Sequence, residues 1–183
     1  DLMKGVADTF SGLMEKEDGT GSYLSVLSGS RNGKLHDWFY RETGCIQYLV
    51  ECGTSNLQPD SLLIESTVNR TKPAMIYLMD RTIGYNTDAG QATGIIYDAN
   101  TNAPISGVEV KIEEHSGSVL KPRLTNEFGR YRRILDAGTY HLNISKKGYF
   151  PLRQSITTNN SGITEANFSL IQAPLFSIRI DID

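Results

Sequence analysis

Two cysteines are the residues of this 183-residue chain that could form a disulfide. Cys45 and Cys52 are seven positions apart in an apolar segment that is typical of a β-strand. Seven strand residues span ~23 Å, whereas a disulfide requires Cα atoms within ~7 Å of each other. The odd spacing also directs the two side chains to opposite faces of a sheet. The pattern therefore predicts two free thiols.

The three histidines do not have the spacing of a zinc site. Zinc sites require three or four ligands at suitable spacing, and none of His36, His115 and His141 belongs to a triplet of possible ligands with such spacing. We interpret His36 as a polar loop residue, His115 as part of an exposed turn and His141 as a half-buried sheet residue. The chain itself is therefore predicted to bind no metal.

A single carboxylate ends the most apolar run of the first half of the chain. Glu51 directly follows residues 45–50, of which all but one are apolar. A carboxylate at a rigid strand end can lie within ~3 Å of a water molecule and act as a general base, for which a mobile loop is less suited. A surface position or a salt bridge is the more common role of such a residue. The residues alone leave both interpretations open.

The composition excludes several classes of protein. Apolar residues make up 39% of the chain and charged residues 21%, which is enough for a packed core and argues against wholesale disorder. The net charge is −3, and the clusters of Lys and Arg that nucleic-acid binding requires are missing from the sequence. No apolar run approaches the ~20 residues of a membrane helix. Neither nucleic acid nor a membrane is therefore expected as a partner.

The first half of the chain predicts two helices and one strand. Apolar residues recur at helical spacing over residues 1–17. Residues 45–51 read as a strand that is buried on both faces, as in an α/β sheet. A second helix is predicted over 71–83, where Thr71 can cap the first turn and Pro73 is tolerated within it.

The second half predicts a small β-sandwich, because short β-prone runs alternate with turn signals every eight to twelve residues. The boundary between the two halves falls near residues 87–91. The tail, residues 173–183, is either an extra strand or a linker. The predicted strands are 92–98, 108–113, 129–135, 139–146, 154–157 and 165–171.

The segment around Glu51 resembles the C-terminal stretch of zinc metallocarboxypeptidases. In that family an Asp-aromatic-x-Tyr motif precedes the catalytic glutamate by fourteen residues, and Asp37, Trp38 and Tyr40 stand in this relation to Glu51. The predicted helix that follows looks like the last helix of the catalytic domain. The residues that carry this second likeness are Asn69, Ala74, Tyr77 and Leu78.

The second half resembles the transthyretin-like domain of the regulatory, N/E-type carboxypeptidases. The two halves support each other because they occur together, in this order, in that subfamily. The residues that carry the likeness are Gly94, Asp98, Pro104, Ile105, Gly107, Val108, Val110, Thr125, Gly129, Tyr131, Arg132, Leu135, Gly138, Tyr140, Gly148 and Tyr149.

The resemblance implies a fold with two parts. Residues 1–88 are expected to be an α/β partial catalytic-domain segment. Residues 91–172 are expected to form an all-β transthyretin-like Greek-key sandwich, the carboxypeptidase regulatory-like domain, followed by the tail. The sandwich can fold by itself, whereas residues 1–86 lack the remaining strands of a sheet and should not form a stable α/β domain alone.

The resemblance also implies a zinc peptidase that hydrolyses the C-terminal residue of peptides and proteins, with Glu51 as the general base. Zinc lowers the pKa of its bound water from ~15.7 toward ~7, and a nearby carboxylate takes up the proton. The family places a substrate-capping tyrosine eight residues before the aspartate, which here is Gly29. Tyr23, fourteen residues before Asp37, can serve as a substrate-binding residue only with an inserted stretch.

The zinc ligands and the substrate-binding arginines lie upstream of Asp1 in the family. Zinc is therefore expected in the complete enzyme and not on this chain, which alone is expected to be inactive. Its partners are then peptide or protein C-termini and the missing N-terminal catalytic segment or another chain. The subfamily implies a secreted, periplasmic or cell-surface location. The alternative is a non-catalytic β-sandwich that serves as a binding or scaffolding module, in other words a pseudo-enzyme.

Overall fold

The structure, a computed structural model, divides the chain into two compact units, Asp1–Ala89 and Gly90–Asp183. Within the described ranges, none of the helices combines the length and the apolar character needed to span a lipid bilayer. The predicted position Gly29, residues 87–89 of the predicted boundary and the tail from residue 175 on lie outside the described residues. The structure describes residues 2–27, 34–53, 60–85, 90–115, 117, 121–159 and 161–174.

Helices dominate the described part of the first unit. The helices are α1 (Leu2–Gly12), α2 (Leu35–Thr43) and α3 (Ser61–Ile83). α1 confirms the predicted first helix and buries Val6 and Phe10 from its apolar stripe. It ends at Gly12, earlier than predicted, because glycine has a low helix propensity.

α2 is a helix that the sequence pattern does not predict. Three consecutive aromatic residues lie within its nine positions, and aromatic side chains have only moderate helix propensity. Lys34 precedes the helix without a side-chain cap. Gly44 ends it in the left-handed conformation, with φ of 77°, and its N–H donates to the Tyr40 carbonyl. The local signals for this helix are the C-terminal glycine, Asp37 in the first turn and Arg41 in the last turn.

α3 begins ten residues before the predicted start. Its N-cap is Asp60, whose side chain accepts a hydrogen bond from the Leu62 N–H at 2.8 Å, so the predicted cap Thr71 lies inside the helix. Pro73 also lies in the interior, although proline removes a backbone hydrogen bond there. Packing offsets this cost, because the neighbouring Ala74 is completely buried in the core of the unit.

The strand predicted at 45–51 does not form. Residues 44–52 belong to neither a helix nor a strand. A strand requires a hydrogen-bonded neighbour, and no other described segment of the first unit supplies one at this position. The α/β sheet predicted for residues 1–88 is therefore not confirmed. Cys45 and Cys52 are free, as predicted, but both are exposed in an irregular segment and do not lie on opposite faces of a buried strand.

Two sheets and a short 3₁₀ helix, Glu113–His115, make up the described part of the second unit. One sheet has the order β3-β1-β6, with β7 also paired to β1, and the other has the order β2-β4-β5. Each of the six predicted strand regions overlaps at least one observed strand. The strands are β1 (Gln91–Asp98), β2 (Glu109–Ile112), β3 (Arg130–Ile134), β4 (Gly138–Ser145), β5 (Leu152–Thr158), β6 (Ile163–Glu165) and β7 (Phe168–Leu170).

One hydrophobic core joins the two sheets, so the unit is sandwich-like. Alternate residues of each strand enter it, as in β4, where Tyr140, Leu142 and Ile144 are buried. β1 contributes Ala92 and Ile96 from the opposite sheet. The alternation of apolar and polar residues in the sequence therefore correctly predicts which face of each strand is buried.

The single strand predicted at 165–171 is observed as two strands, β6 and β7. Both pair in parallel with β1, which they meet at different residues. Between them the Asn167 Oδ1 accepts the Ile95 N–H at 2.7 Å. A side chain thus satisfies a backbone donor that a continuous strand would have paired, and the ladder is interrupted there.

Asp98 ties three segments of the second unit together at the end of β1. The residue is only 3% exposed. Its Oδ1 accepts the N–H groups of Asn100 and Thr101 at 2.9 and 3.0 Å. Its Oδ2 accepts hydrogen bonds from the Tyr149 hydroxyl at 2.9 Å and from the Gln172 amide at 2.8 Å. These four donors, led by the two backbone N–H groups, lower the pKa of Asp98 to about 2.

We expect the second unit to lose stability as the pH falls from about 5 toward 2. A carboxylate whose pKa is lower in the folded state than in the unfolded state stabilises the fold above its unfolded pKa, and this stabilisation is lost as the group becomes protonated. Urea unfolding at a series of pH values measures the effect. Asp98→Asn should lower stability at pH 7 and flatten the acid slope. Glu114, whose pKa is also lowered to about 2, should retain part of the slope. An unchanged slope in Asp98→Asn would contradict the assignment.

Candidate functional site

A tight turn after α1 returns the chain to the helix. Asp18 Oδ1 accepts both the backbone N–H and the hydroxyl of Thr20, at 2.9 and 2.7 Å. Glu15 and Ser22 face each other across this turn in an antiparallel bridge. The Tyr23 N–H then donates to the Met14 carbonyl at 2.9 Å. The turn residues thus fix Tyr23 beside the end of α1.

Tyr23, the predicted substrate-binding residue, is half-buried and makes two hydrogen bonds through its hydroxyl. The hydroxyl donates to Glu17 Oε2 at 3.0 Å and accepts the backbone N–H of Gly53 at 3.0 Å. The Tyr23 ring and Val50 pack against the same small core. The structure therefore brings Tyr23 to the segment that carries Glu51.

Glu51 itself is exposed and lies in the irregular segment between Val50 and Gly53. It does not end a strand, because the predicted strand is not formed. The contact between Tyr23 and Gly53 places the tyrosine hydroxyl two residues along the chain from this carboxylate. The role of Glu51 as a general base stays a prediction.

The Asp-Trp-x-Tyr motif lies on α2. Asp37 is exposed in the first turn of the helix and is 3.8 Å from the imidazole of His36. Trp38 is 48% exposed and meets Phe39 edge to face, with ring centroids 5.1 Å apart. The motif is thus a largely exposed helical turn in this chain.

An ion pair that sequence reasoning missed lies next to Tyr23. Glu17 Oε1 is 3.4 Å from Nη2 of Arg70 on α3. The Arg70 guanidinium also donates to the side-chain oxygens of Ser66 and Thr67, which precede it on the same helix. Glu17 is the last residue of the segment, residues 1–17, whose apolar spacing predicts the first helix. No local pattern indicates a partner 53 positions away.

Two opposing influences act on the pKa of Tyr23. The hydrogen bond from the Gly53 N–H lowers this pKa, because it favours the phenolate. Burial and the Glu17 carboxylate raise the pKa, because both disfavour a second negative charge. The net direction is upward. Tyr23 is therefore a neutral hydrogen-bond donor at physiological pH.

A zinc ion does not fit the described residues. No group of three or more His, Cys, Asp or Glu side chains among them could hold a metal ion. His115 lies against the Tyr140 ring, with centroids 5.3 Å apart. His141 is a half-buried residue of β4, as predicted, and its Nδ1 is 2.7 Å from Glu114 Oε1.

Comparison with known proteins gives relatives for much of the chain. It is 27% identical to human carboxypeptidase D over 145 residues, which cover 77% of this chain and 9% of that protein. It is 26% identical to carboxypeptidase D of the duck Anas platyrhynchos over 141 residues, which cover 75% of the chain and 9% of the relative. The chain thus spans about a tenth of the length of these curated relatives.

Solved structures match at lower similarity. The backbone protein of pilus 2b from group B streptococcus matches with a TM-score of 0.37 and 18% identity, over 45% of this chain and 41% of that chain. Catechol 1,2-dioxygenase from Pseudomonas arvilla matches with a TM-score of 0.36 and 14% identity, over 48% of this chain and 53% of that chain.

A family model matches the second unit. The model describes the carboxypeptidase regulatory-like domain and covers residues 91–171. These residues include all seven strands and the sandwich-like core described above. Residues 91–171 of this chain are therefore similar to the carboxypeptidase regulatory-like domain.

Proposed function

We propose that this chain is the C-terminal portion of a zinc-dependent carboxypeptidase that removes the C-terminal residue of peptides and proteins. One observation carries the proposal. Tyr23 and Glu51 are the two residues assigned to the site by the resemblance, and the fold ties the Tyr23 hydroxyl to the backbone two residues beyond Glu51. Two candidates that are 28 positions apart in sequence thus belong to one small region of the first unit.

The chemistry of this region suits hydrolysis of a terminal peptide bond. When water attacks a peptide carbonyl, its proton has to pass to a base and then to the departing amine. A carboxylate such as Glu51 can carry that proton in both steps. The Tyr23 hydroxyl donates its proton to Glu17 and accepts the Gly53 N–H, so its second lone pair can accept a hydrogen bond from a backbone N–H of a substrate chain.

Zinc is part of the proposed activity but not of this chain. The described residues offer no suitable ligand group, and in the family that this chain resembles the metal ligands are supplied by polypeptide upstream of the segment equivalent to residues 1–88. That polypeptide is a missing N-terminal catalytic segment or another chain. The complete protein would bind the C-termini of peptides and would lie outside the cytoplasm, being secreted, periplasmic or at the cell surface.

Exposed apolar side chains on α3 support a missing partner for the first unit. Large apolar residues project along the whole helix, and such residues are normally covered in a complete domain. Their burial against the remaining sheet would enlarge the small core of the first unit, which contains Phe10, Met14 and Ala74. The exposed residues of α3 are Leu62, Leu63, Ile64, Val68, Met75, Ile76, Met79 and Ile83.

The extent of the similarity gives further support. The alignment with human carboxypeptidase D covers 77% of the chain. Residues 91–183 supply only 93 of the 183 positions, or about half. The alignment therefore includes part of the first unit as well as the regulatory-like domain.

The complete protein, including the sequence that precedes Asp1, should release the C-terminal residue from a synthetic peptide. Mass spectrometry of the products measures this. A C-terminally amidated peptide is the matched control and should stay intact, because a carboxypeptidase recognises the free carboxylate. Residues 1–183 alone should leave both peptides intact. A complete protein that binds no zinc and cleaves neither peptide would contradict the proposal.

A binding or scaffolding module is the second candidate function. It is favoured by the position of the family match, which falls on the sandwich and not on the segment of Glu51. The exposure of Glu51 outside any strand fits it equally. In this case the upstream sequence would lack a His-x-x-Glu pair, and the complete protein would not bind zinc.

A further inference from the structure

Glu17 and Arg70 form a largely buried ion pair in the first unit. Their side chains retain only 16% and 17% of their exposure, respectively. Glu17 Oε1 is buried and accepts no hydrogen bond from the described residues. The positive charge of the Arg70 guanidinium, 3.4 Å away, therefore balances the negative charge of the Glu17 carboxylate. Burial of two charges carries a desolvation cost that a surface ion pair does not have.

The second carboxylate oxygen of Glu17, Oε2, forms a hydrogen bond with the Tyr23 hydroxyl. A phenol has a single proton to donate, and here Glu17 Oε2 accepts it at 3.0 Å. The Tyr23 oxygen receives the Gly53 N–H from the other side, also at 3.0 Å. The proton and one of the two lone pairs of the hydroxyl are thus engaged, and the second lone pair can accept a hydrogen bond from a peptide substrate. A continuous line of contacts runs from Arg70 on α3 to the backbone beside Glu51.

We propose that Glu17 is a positioning residue for Tyr23 and holds its hydroxyl next to the segment that carries Glu51. The inference rests on the proposed function, because it assigns Glu17 to the peptidase site. Glu17 touches no reacting atom in this role. It restricts the orientations of the tyrosine side chain before the peptide arrives, and this lowers the entropy cost of binding.

The test is a double-mutant cycle in the complete protein, with KM and kcat measured on a peptide substrate. Glu17→Ala should raise KM about 10-fold, which is the loss expected for one hydrogen bond to a charged group, with a smaller change in kcat. In a Tyr23→Phe background the same substitution should have no further effect, because the hydroxyl that Glu17 holds is already gone. Glu17→Gln keeps an acceptor oxygen and should restore most of the KM.

Controls separate the inference from the proposed function. Glu15→Ala removes an exposed carboxylate two residues earlier and should leave KM unchanged. A complete wild-type protein without peptidase activity would overturn both the inference and the proposed function. An active wild type would overturn the inference alone in two cases: if Glu17→Ala leaves KM unchanged, or if its effect is as large in the Tyr23→Phe background. Thermal unfolding of Glu17→Gln checks that the first unit remains folded.

Discussion

Replacing Glu51 with Gln in the complete protein should lower kcat by roughly two to four orders of magnitude, which is about 3–5 kcal/mol in the activation free energy. The amide has nearly the same shape as the carboxylate but cannot take up a proton at neutral pH. A loss in kcat without a comparable change in KM would show that the substrate still binds. Steady-state kinetics on a synthetic peptide measures both constants.

A matched substitution tests whether this loss is specific. Glu65 is an exposed glutamate on α3 to which no role is assigned, so Glu65→Gln makes the same chemical change and should leave kcat within a factor of about two. If Glu51→Gln keeps wild-type turnover, Glu51 is not the general base. Glu51 would then be an ordinary exposed surface residue.

Replacing Gly94 with Ala should destabilise the second unit by about 3 kcal/mol or more. A Cβ at this position would lie 1.8 Å from the Ala166 carbonyl oxygen and 2.9 Å from the Tyr131 ring. Ala166 cannot move away at low cost. Its carbonyl accepts the Tyr131 hydroxyl at 2.7 Å and its N–H donates to the Thr93 carbonyl at 2.9 Å. The clash therefore forces the loss of hydrogen bonds on both sides.

Hydrogen exchange of core amides in the whole chain measures this change, because the amides of Leu142 and Ile144 exchange only when the second unit opens. Gly138→Ala is the matched control. A Cβ there would meet the Tyr140 ring at 3.4–3.5 Å, which is an ordinary contact, so protection should change little. Equal protection in Gly94→Ala and the wild type would refute the proposed clash.

The second unit could be predicted from the sequence to within a few residues. Strands such as β4 alternate buried and exposed side chains, and this period of two is visible in the letters themselves. Turn residues between the strands supply the boundaries. The error at 165–171 arose because Asn167 uses its side chain to pair with Ile95, a contact across 72 positions that no local pattern contains.

The first unit was harder to predict because its elements depend on neighbours that local patterns cannot identify. The apolar run at 45–51 has the composition of a strand, but strand formation requires a partner, and the described residues offer none. In α3 the opposite error occurred. Pro73 indicated a helix start, whereas the cap at Asp60 and the packing of Ala74 extend the helix through it.

The sequence by itself determined the sandwich-like domain and the two free thiols, and its resemblance to zinc metallocarboxypeptidases gave Tyr23 and Glu51 as candidate residues. Alternation, turn chemistry and motif spacing are properties of neighbouring positions, so they can be read along the chain. Only the tertiary structure decided that Tyr23 meets Glu17 and Gly53, and that Arg70 faces Glu17. These contacts bring together the turn after α1 and helix α3, which are far apart in the sequence. Because a buried charge is costly unless it is paired, Glu17 needs the nearby Arg70 guanidinium.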